Sequence, residues 1–127
     1  MKYLKYIPVF LLCMAFAYPK DTDCKKLFTG KWKYKNIDPK NLFVVRTLQK
    51  QREYVDSGKH FYEFKIHWID KCSYHLIYVG TTSAHPASIK AGDSLLVEIL
   101  NIDKTKMTYR TTVSNGAQDN DEMEKMR

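Results

Sequence analysis

The stretch Phe61–Val79 reads FYEFKIHWIDKCSYHLIYV, and it sets the fold prediction for the rest of the chain. Large apolar side chains alternate with polar ones on either side of a short break at Asp70–Lys71. A period of two is typical of a strand with one buried face, because successive side chains point to opposite sides of a sheet. The stretch therefore predicts an antiparallel hairpin.

The register of this hairpin follows from the same pattern. In one register every inward aromatic or aliphatic side chain faces another, whereas a slip by one residue would turn all of them outward. We therefore expect the hairpin to adopt that register. Its pairs are Trp68–Tyr74, Ile66–Leu76 and Phe64–Tyr78.

Further runs of strand composition lie on both sides of the hairpin, with turn-forming residues between them. No helix-length repeat of apolar residues appears. We expect an all-β fold, an antiparallel up-and-down meander of about seven strands that forms a barrel or a strongly curled sheet. The predicted strands are Phe28–Tyr34, Leu42–Thr47, Gln51–Val55, Phe61–Ile69, Cys72–Val79, Asp93–Ile102 and Lys106–Val113.

Two segments are predicted to lie outside the sheet. Gly80–Gly92 is rich in Ser, Thr and Gly and forms the longest predicted loop. Asn115–Arg127 is polar and charged and has no aromatic residue, so we expect a disordered tail there. The predicted barrel domain accordingly covers residues 18–114.

The N-terminus, residues 1–17, has the parts of a cleavable secretion signal. Lys2 and Lys5 form a basic start, and Ile7–Ala17 is an apolar run of eleven residues that ends in small ones. Because a membrane-spanning helix needs roughly 20 apolar residues, the run is too short for an anchor. We expect cleavage near Ala17, export to the periplasm or the extracellular space, and no transmembrane segment in the mature chain Tyr18–Arg127.

The mature chain has a mild positive charge and two cysteines. Two of the 21 Lys and Arg residues lie in the signal, which leaves 19 against 14 Asp and Glu and a net charge of +5. An excess of this size, dispersed along the chain, does not predict nucleic-acid binding. In an exported protein two cysteines predict a disulfide, and Cys24–Cys72 is the one pairing available.

The tripeptide Gly30-Lys31-Trp32 opens the first predicted strand, soon after the secretion signal. It resembles the Gly-x-Trp motif of lipocalins and related calycins. The resemblance implies an up-and-down barrel that holds a small apolar molecule, with Trp32 at one end and an Arg from a late strand packed over it. Arg110 is the matching candidate for that Arg, and Lys33 and Arg46 are weaker ones.

A second set of motifs covers most of the mature chain, namely Cys24, Gly30-Lys31-Trp32-Lys33-Tyr34, Val45-Arg46-Thr47, Gln51-x-Glu53-Tyr54 and Trp68-x-x-x-Cys72-x-Tyr74-x-Leu76. This set is similar to that of short exported proteins of Bacteroidetes-type bacteria, a group without an established function. Some members carry a topoisomerase subunit label. The physics of this chain does not support that label, because a mature chain of 110 residues has no room for a nucleotide-binding or strand-cleaving domain.

The largest chemical feature is a face of aromatic side chains on the predicted strands. One interpretation is a lumen lined for an apolar ligand, with phenol and indole groups as directional contacts. The other is the filled interior that a small barrel needs. The candidate ligand-binding residues on this face are Trp32, Tyr62, Phe64, Trp68, Tyr74 and Tyr78.

Arg46, Gln51 and Glu53 are polar residues on two neighbouring predicted strands. Because apolar residues occupy both faces of Leu42–Thr47, the pattern leaves the direction of Arg46 open, and a solvated face is favoured. If the three side chains point inward instead, they form a network that could hold a carboxylate or another polar head group. An inward network could also serve structure alone.

Metal and catalytic signatures are weak or missing. His67 falls opposite His75 in the predicted hairpin, with Glu63 nearby, but two histidines on an outer sheet face are usually solvated. The sequence has no Gly-x-Ser-x-Gly elbow, no His-Glu-x-x-His motif and no phosphate loop. We expect no metal, no cofactor and no enzymatic activity.

These patterns predict an exported, monomeric, non-enzymatic protein that binds a small, mainly apolar ligand in or at the mouth of a barrel. The alternative is an envelope interaction module, in which a filled barrel docks a protein or a glycan. Its docking surface would be the Gly80–Gly92 loop or the lysine-rich face. The two predictions differ in whether the barrel contains a cavity.

Overall fold

The structure is a computed structural model that describes residues 23–84 and 88–127. The predicted secretion signal and its cleavage site at Ala17 lie outside the described residues, as do residues 85–87 of the predicted Gly80–Gly92 loop. Within the described ranges, no helix has the length and apolar character needed to cross a membrane.

Eight antiparallel strands form one closed barrel, in which each strand pairs with its neighbours in the sequence and the last pairs with the first. The predicted all-β meander is confirmed, with eight strands where about seven were expected. A four-residue helix, α1 (Lys25–Phe28), precedes the first strand, and a 3-10 turn at Asp56–Gly58 joins the third to the fourth. The strands are β1 Gly30–Tyr34, β2 Leu42–Arg46, β3 Lys50–Val55, β4 His60–Asp70, β5 Ser73–Thr81, β6 Ser94–Ile102, β7 Lys106–Thr112 and β8 Gln118–Lys125.

The prediction of a disordered tail over Asn115–Arg127 is wrong, because most of this segment forms β8. Strand β8 closes the barrel by pairing with both β7 and β1. Its apolar signal is weak because Met123 is its single buried residue. On the outer face, Glu124 Oε1 lies 2.7 Å from Lys33 Nζ. Backbone pairing and cross-strand charge pairs therefore hold a strand that has almost no apolar face.

Strands β4 and β5 form the predicted hairpin in the predicted register. Irregularities between Glu63 and Phe64 and between Trp68 and Asp70 interrupt the pairing outside the three predicted pairs. Strand β5 continues to Thr81, so the loop that follows starts later than predicted. The confirmed pairs are Trp68–Tyr74, Ile66–Leu76 and Phe64–Tyr78.

One end of the barrel, called here the closed end, is densely packed. The predicted Cys24–Cys72 disulfide ties the start of α1 to the β4–β5 turn. Phe28 of α1 meets the rings of Trp68 and Tyr74 edge-on, with centroids 4.9 and 5.2 Å away. Trp32 is completely buried, and its indole Nε1 donates a hydrogen bond to the Phe28 carbonyl at 2.9 Å. The helix, the disulfide and the tryptophan thus form one core.

Gly30 allows β1 to enter this core. Its φ of +118° is one that residues with a Cβ rarely adopt, and a Cβ there would lie 3.0 Å from Lys125 Cε and Nζ. Lys125 comes so close because its Nζ lies 4.8 Å from the Trp32 ring centroid and donates to the Thr29 carbonyl at 2.5 Å. The backbone conformation at this position therefore favours the glycine of the Gly-x-Trp motif, and the nearby Lys125 side chain adds to that preference.

The opposite end, called here the open end, carries the loops that join β1 to β2, β3 to β4, β5 to β6 and β7 to β8. The seam between β1 and β8 is short, with residue pairs from Trp32–Lys125 to Tyr34–Met123. Strand β8 pairs with β7 over a longer stretch that begins at Gln118. It therefore extends past β1 at the open end, where Asp119 and Asp121 are exposed.

Candidate ligand-binding cavity

The barrel interior beyond the closed end contains an inner cavity and a larger mouth cavity. The inner cavity has a volume of about 110 Å³ and the mouth cavity about 400 Å³. Leu76 of β5 and Leu95 of β6 line both, so the two cavities adjoin along this wall. The other residues of the inner cavity are Tyr34, Arg46, Gln51, Glu53, Tyr74, Val97, Tyr109 and Thr111.

Strands β2 and β3 supply the polar floor of the inner cavity. Arg46 and Gln51 are only 4% and 2% exposed, so the expected solvated face is wrong and both side chains point inward. The strand register sets them opposite each other, and Arg46 Nε donates to Gln51 Oε1 at 2.9 Å. The sequence pattern was ambiguous because the outer face is apolar too, where Phe43 stacks on Tyr54 with a centroid separation of 5.0 Å.

The Arg46 guanidinium is enclosed by aromatic rings and sulfur atoms. Its Cζ lies 4.7 Å from the Phe28 ring centroid and 5.8 Å from that of Trp32, within the range of cation–π attraction. Its Nη1 and Nη2 donate to the thioether sulfurs of Met107 and Met123 at 3.7 and 3.2 Å. The guanidinium is thus both held and covered by the closed end.

Arg46, and not Arg110, is therefore the arginine that packs over Trp32. Arg110 lies on the outside of β7, where its Nη1 is 3.8 Å from Glu98 Oε1. Lys33, the other weaker candidate, pairs with a glutamate on the outer face. The expected late strand was wrong because the register of β1 and β2 sets Arg46 directly opposite Gly30, next to the tryptophan.

Gln51 connects Arg46 to Glu53. Its Nε2 donates to Glu53 Oε2 at 3.1 Å, and the Tyr34 hydroxyl donates to the same oxygen at 3.3 Å. Burial raises the pKa of the Glu53 carboxyl, although the Tyr34 hydrogen bond, the charge of Arg46 and the Gln51 hydrogen bond oppose that shift. One chain of hydrogen bonds thus runs across the floor, from the guanidinium to a carboxylate.

The phenols around this carboxylate are kept protonated. Burial, and then the negative charge of Glu53, raise the pKa of Tyr34 well above its usual value. Burial also raises the pKa of Tyr109, helped by the charge of Asp121, and it raises the pKa of Tyr74. All three hydroxyls can therefore act as hydrogen-bond donors at neutral pH.

The predicted aromatic face divides between core and cavity. Trp32 and Trp68 belong to the closed end, and Trp68 Nε1 donates to the Leu48 carbonyl at 2.8 Å. Tyr74 lines the inner cavity, whereas Phe64 lines the mouth cavity. Two tryptophans singled out as ligand contacts thus lie apart from both cavities.

The remaining two aromatic candidates lie near the mouth. Tyr78 is buried beside Phe64, with ring centroids 5.5 Å apart. Tyr62 is half-buried and pairs with Glu53 across β3 and β4. Neither residue is among those that line the two cavities.

Sequence reasoning did not single out several wall residues. Leu95 and Val97 of β6 line the inner cavity, and Ile89 and Val113 line the mouth cavity. The signal for β6 was present, because its alternation places Val97 opposite Tyr74 on the inward face. No local pattern marks the loop residues, since their position depends on how the barrel closes.

The structure offers no centre for a metal among the residues that it describes. His67 lies opposite His75, as the predicted register requires. No group of three or more His, Cys, Asp or Glu side chains that could hold a metal ion occurs within residues 23–84 and 88–127.

No protein-family model, no curated protein and no solved structure matches this chain significantly. The class of protein is therefore defined by the fold and the cavity themselves. The chain is an eight-stranded antiparallel β-barrel, compatible with a lipocalin-like fold, with a disulfide at one end and a cavity toward the other.

Proposed function

We propose that this protein is an exported, monomeric, non-enzymatic binding protein for a small, mainly apolar ligand. The apolar body of the ligand would occupy the mouth cavity, and its head group would reach into the inner cavity. The observation that carries the proposal is the adjoining of the two cavities along Leu76 and Leu95, with a polar floor at the inner end.

The sizes of the cavities support this division of the ligand. Sites for small organic molecules have volumes of roughly 300–1,000 Å³, and the mouth cavity of about 400 Å³ falls within that range. The inner cavity of about 110 Å³ has room for a head group only. Ile89 and Val113 at the mouth are 39% and 40% exposed, so a bound apolar body would remove them from water.

Export and family membership belong to the same proposal. The Cys24–Cys72 disulfide is typical of proteins in oxidising compartments, which supports export. The Gly-x-Trp motif with Arg46 over Trp32 supports a place among the lipocalins and calycins. We keep the similarity to short exported proteins of Bacteroidetes-type bacteria as a proposal on the same sequence motifs.

Native mass spectrometry of the protein recovered from an oxidising compartment tests the proposal. We expect an adduct of a few hundred daltons that is lost on denaturation. The variant Leu95→Trp should lose it, because the larger side chain fills the wall shared by both cavities. The matched control is Leu96→Trp, the next residue on β6, whose side chain points outward. Equal adducts on both variants, or none on the wild type after exposure to lipid extract, would contradict the proposal.

A second candidate function is docking of an acidic polysaccharide on the outer surface. Phe43, Tyr54 and Phe61 form an aromatic row across β2, β3 and β4, with centroid separations of 5.0 and 5.4 Å. Lys31 Nζ lies 5.1 Å from the Phe43 ring centroid, and Arg52 Cζ lies 4.1 Å from that of Phe61. Aromatic rings stack on sugar faces, and the flanking cations attract the carboxylates of an acidic chain.

Affinity electrophoresis in polygalacturonate distinguishes the second candidate from the first. If the row binds polysaccharide, Tyr54→Thr with Arg52→Gln should abolish retardation of the protein, whereas Lys65→Gln on the same outer face should reduce it slightly. Leu95→Trp should leave retardation unchanged, because its side chain is inside the barrel. Wild-type protein that migrates without retardation would contradict the second candidate.

A further inference from the structure

We propose that the ligand head group is a cation, such as an amine or a quaternary ammonium group, held in the inner cavity by the Glu53 carboxylate. This inference rests on the proposed function, because it assigns the chemistry of the same site. It follows from the charges on the inner face of the barrel, from the state of Arg46 and from the residues around Glu53.

The inward charges toward the open end are negative. Glu53 lines the inner cavity. On β8, Asp121 is paired directly with Tyr109 and Asp119 with Thr111, and both partners line that cavity. Cross-strand partners share one face of a sheet, so both aspartates stand on the inner face. A ligand that enters past β8 therefore passes acidic side chains, which attract a cation and repel an anion.

Arg46 is the positive charge of the inner cavity, and each of its three guanidinium nitrogens already donates a hydrogen bond. Nε donates to the Gln51 amide oxygen, and the two Nη atoms donate to sulfur atoms at the closed end. The guanidinium Cζ also lies 4.7 Å from the Phe28 ring centroid and 5.8 Å from that of Trp32. An anionic head group at Arg46 would compete with these contacts, and it would also meet the negative charge of Glu53.

Among the residues that the structure describes, no cation lies within ion-pair distance of Glu53, and Arg46 acts on it from farther away, across Gln51. Its carboxylate accepts hydrogen bonds from two neutral groups, the Gln51 amide and the Tyr34 hydroxyl. Burial of a carboxylate without a paired cation is unfavourable, which agrees with the raised pKa of this group. A bound cation would supply the missing charge.

Aromatic rings complete the environment that a cation prefers. Tyr34, Tyr74 and Tyr109 line the inner cavity together with Glu53. The faces of such rings attract alkylammonium groups, and the attraction is stronger where water is excluded. A cavity formed by one carboxylate and three phenols thus suits an ammonium head group, while the leucines of the wall suit its hydrocarbon body.

Three probes with the same phenylbutyl body and different head groups separate the effect of charge from that of the hydrocarbon. They are phenylbutyltrimethylammonium, its neutral isostere with a tert-butyl head, and phenylpentanoate as the anion. By isothermal titration calorimetry at neutral pH, we expect wild-type protein to bind the cation roughly tenfold or more tightly than the neutral isostere. We expect no detectable binding of the anion.

Two isosteric variants test which carboxylates contribute to binding of the cationic probe. Glu53→Gln should lose the preference for the cation while its affinity for the neutral probe is kept. Asp121→Asn should weaken cation binding by a smaller factor, and because Asp121 is exposed its replacement leaves the core intact. The control is Glu122→Gln, the adjacent residue, whose side chain points outward near Lys35 and should have no effect. Thermal unfolding of each variant checks that it is folded.

The possible results lead to different conclusions. Equal affinity for the cation and the neutral isostere would overturn the cation assignment and leave the proposed binding function standing. Tight binding of the anion that is lost in Arg46→Met would also overturn the cation assignment. It would indicate instead that the ligand has an anionic head group that binds Arg46. If none of the three probes binds, the proposed function and this inference both fail.

Discussion

The closed end and the open end of this barrel are formed by the same strands, but their inward side chains differ. At the closed end Phe28, Trp32, Met107 and Met123 are completely buried and surround the Arg46 guanidinium. Toward the open end the inward positions hold a carboxylate, phenols and leucines around a cavity. Within a single barrel, a close-packed core at the closed end therefore adjoins a cavity with polar and apolar walls toward the open end.

This difference in packing between the two ends explains how a chain of this size can be stable and still contain a cavity. A small barrel has room inside for little more than its own side chains. Here the helix, the disulfide and the tryptophan concentrate the packing at one end. Arg46 of the floor contacts that packed core, and Gln51 is in turn hydrogen-bonded to Arg46, so the core positions the base of the cavity.

The largest effect is expected from a chain that ends at Ser114 and lacks β8. Without β8 the barrel loses the strand that joins β7 to β1, and Met123 no longer covers the Arg46 guanidinium. We expect loss of cooperative thermal unfolding, measured by circular dichroism. A truncated protein that unfolds at the wild-type temperature would show that β8 is dispensable and that the two ends do not depend on closure.

A smaller effect is expected from truncating one side chain at each end. Trp32→Ala should lower the free energy of unfolding by about 3–5 kcal/mol, because it empties a close-packed site. Leu95→Ala, beside the cavities, should lower it by only about 1–2 kcal/mol, because Leu95 is partly exposed already. Urea denaturation of both variants measures the contrast, and equal losses would contradict the division of the barrel into two ends.

The smallest effect is expected from Glu53→Gln, and it depends on pH. The folded pKa of Glu53 is raised above its usual value, so between these two pKa values the folded state binds more protons than the unfolded state. Stability contributed at this position therefore falls as the pH rises through that window. Glu53→Gln should melt at a higher temperature than wild type at neutral pH and at the same temperature below the ordinary pKa of a glutamate.

Differential scanning calorimetry across the acidic range checks this sign. Wild-type and variant melting temperatures that differ by a constant amount at every pH would contradict it. If the variant is more stable than wild type and also binds ligand more weakly, then the Glu53 carboxylate favours binding and lowers the stability of the fold.

The fold was predictable from the sequence in those strands that have an apolar residue at every inward position. The β4–β5 hairpin has an aromatic or aliphatic partner at each inward position, so a single register satisfies it. Strand β8 was not predictable in the same way. Its one buried side chain is Met123, and its pairing depends on backbone groups and on charges of β1 that lie far away in the sequence.

The candidate site was predictable in its residue types and less so in their direction. Arg46, Gln51 and Glu53 were recognised as one polar group, but Phe43 on the outer face made β2 look apolar on both sides. Whether aromatic side chains fill a barrel depends on how all the strands tilt and close. The separation of Trp32 and Trp68 from the cavities was therefore beyond the reach of local patterns.

The pairing of β1 with β8 also governs when the barrel can form. Trp32 and Lys125 are neighbours across that seam although they are far apart in the sequence. Contacts of such long sequence separation form slowly, because a long loop must close before they contribute. The barrel can therefore close only after the chain has been made as far as Lys125, so β1 must wait for β8 before its outer edge is paired.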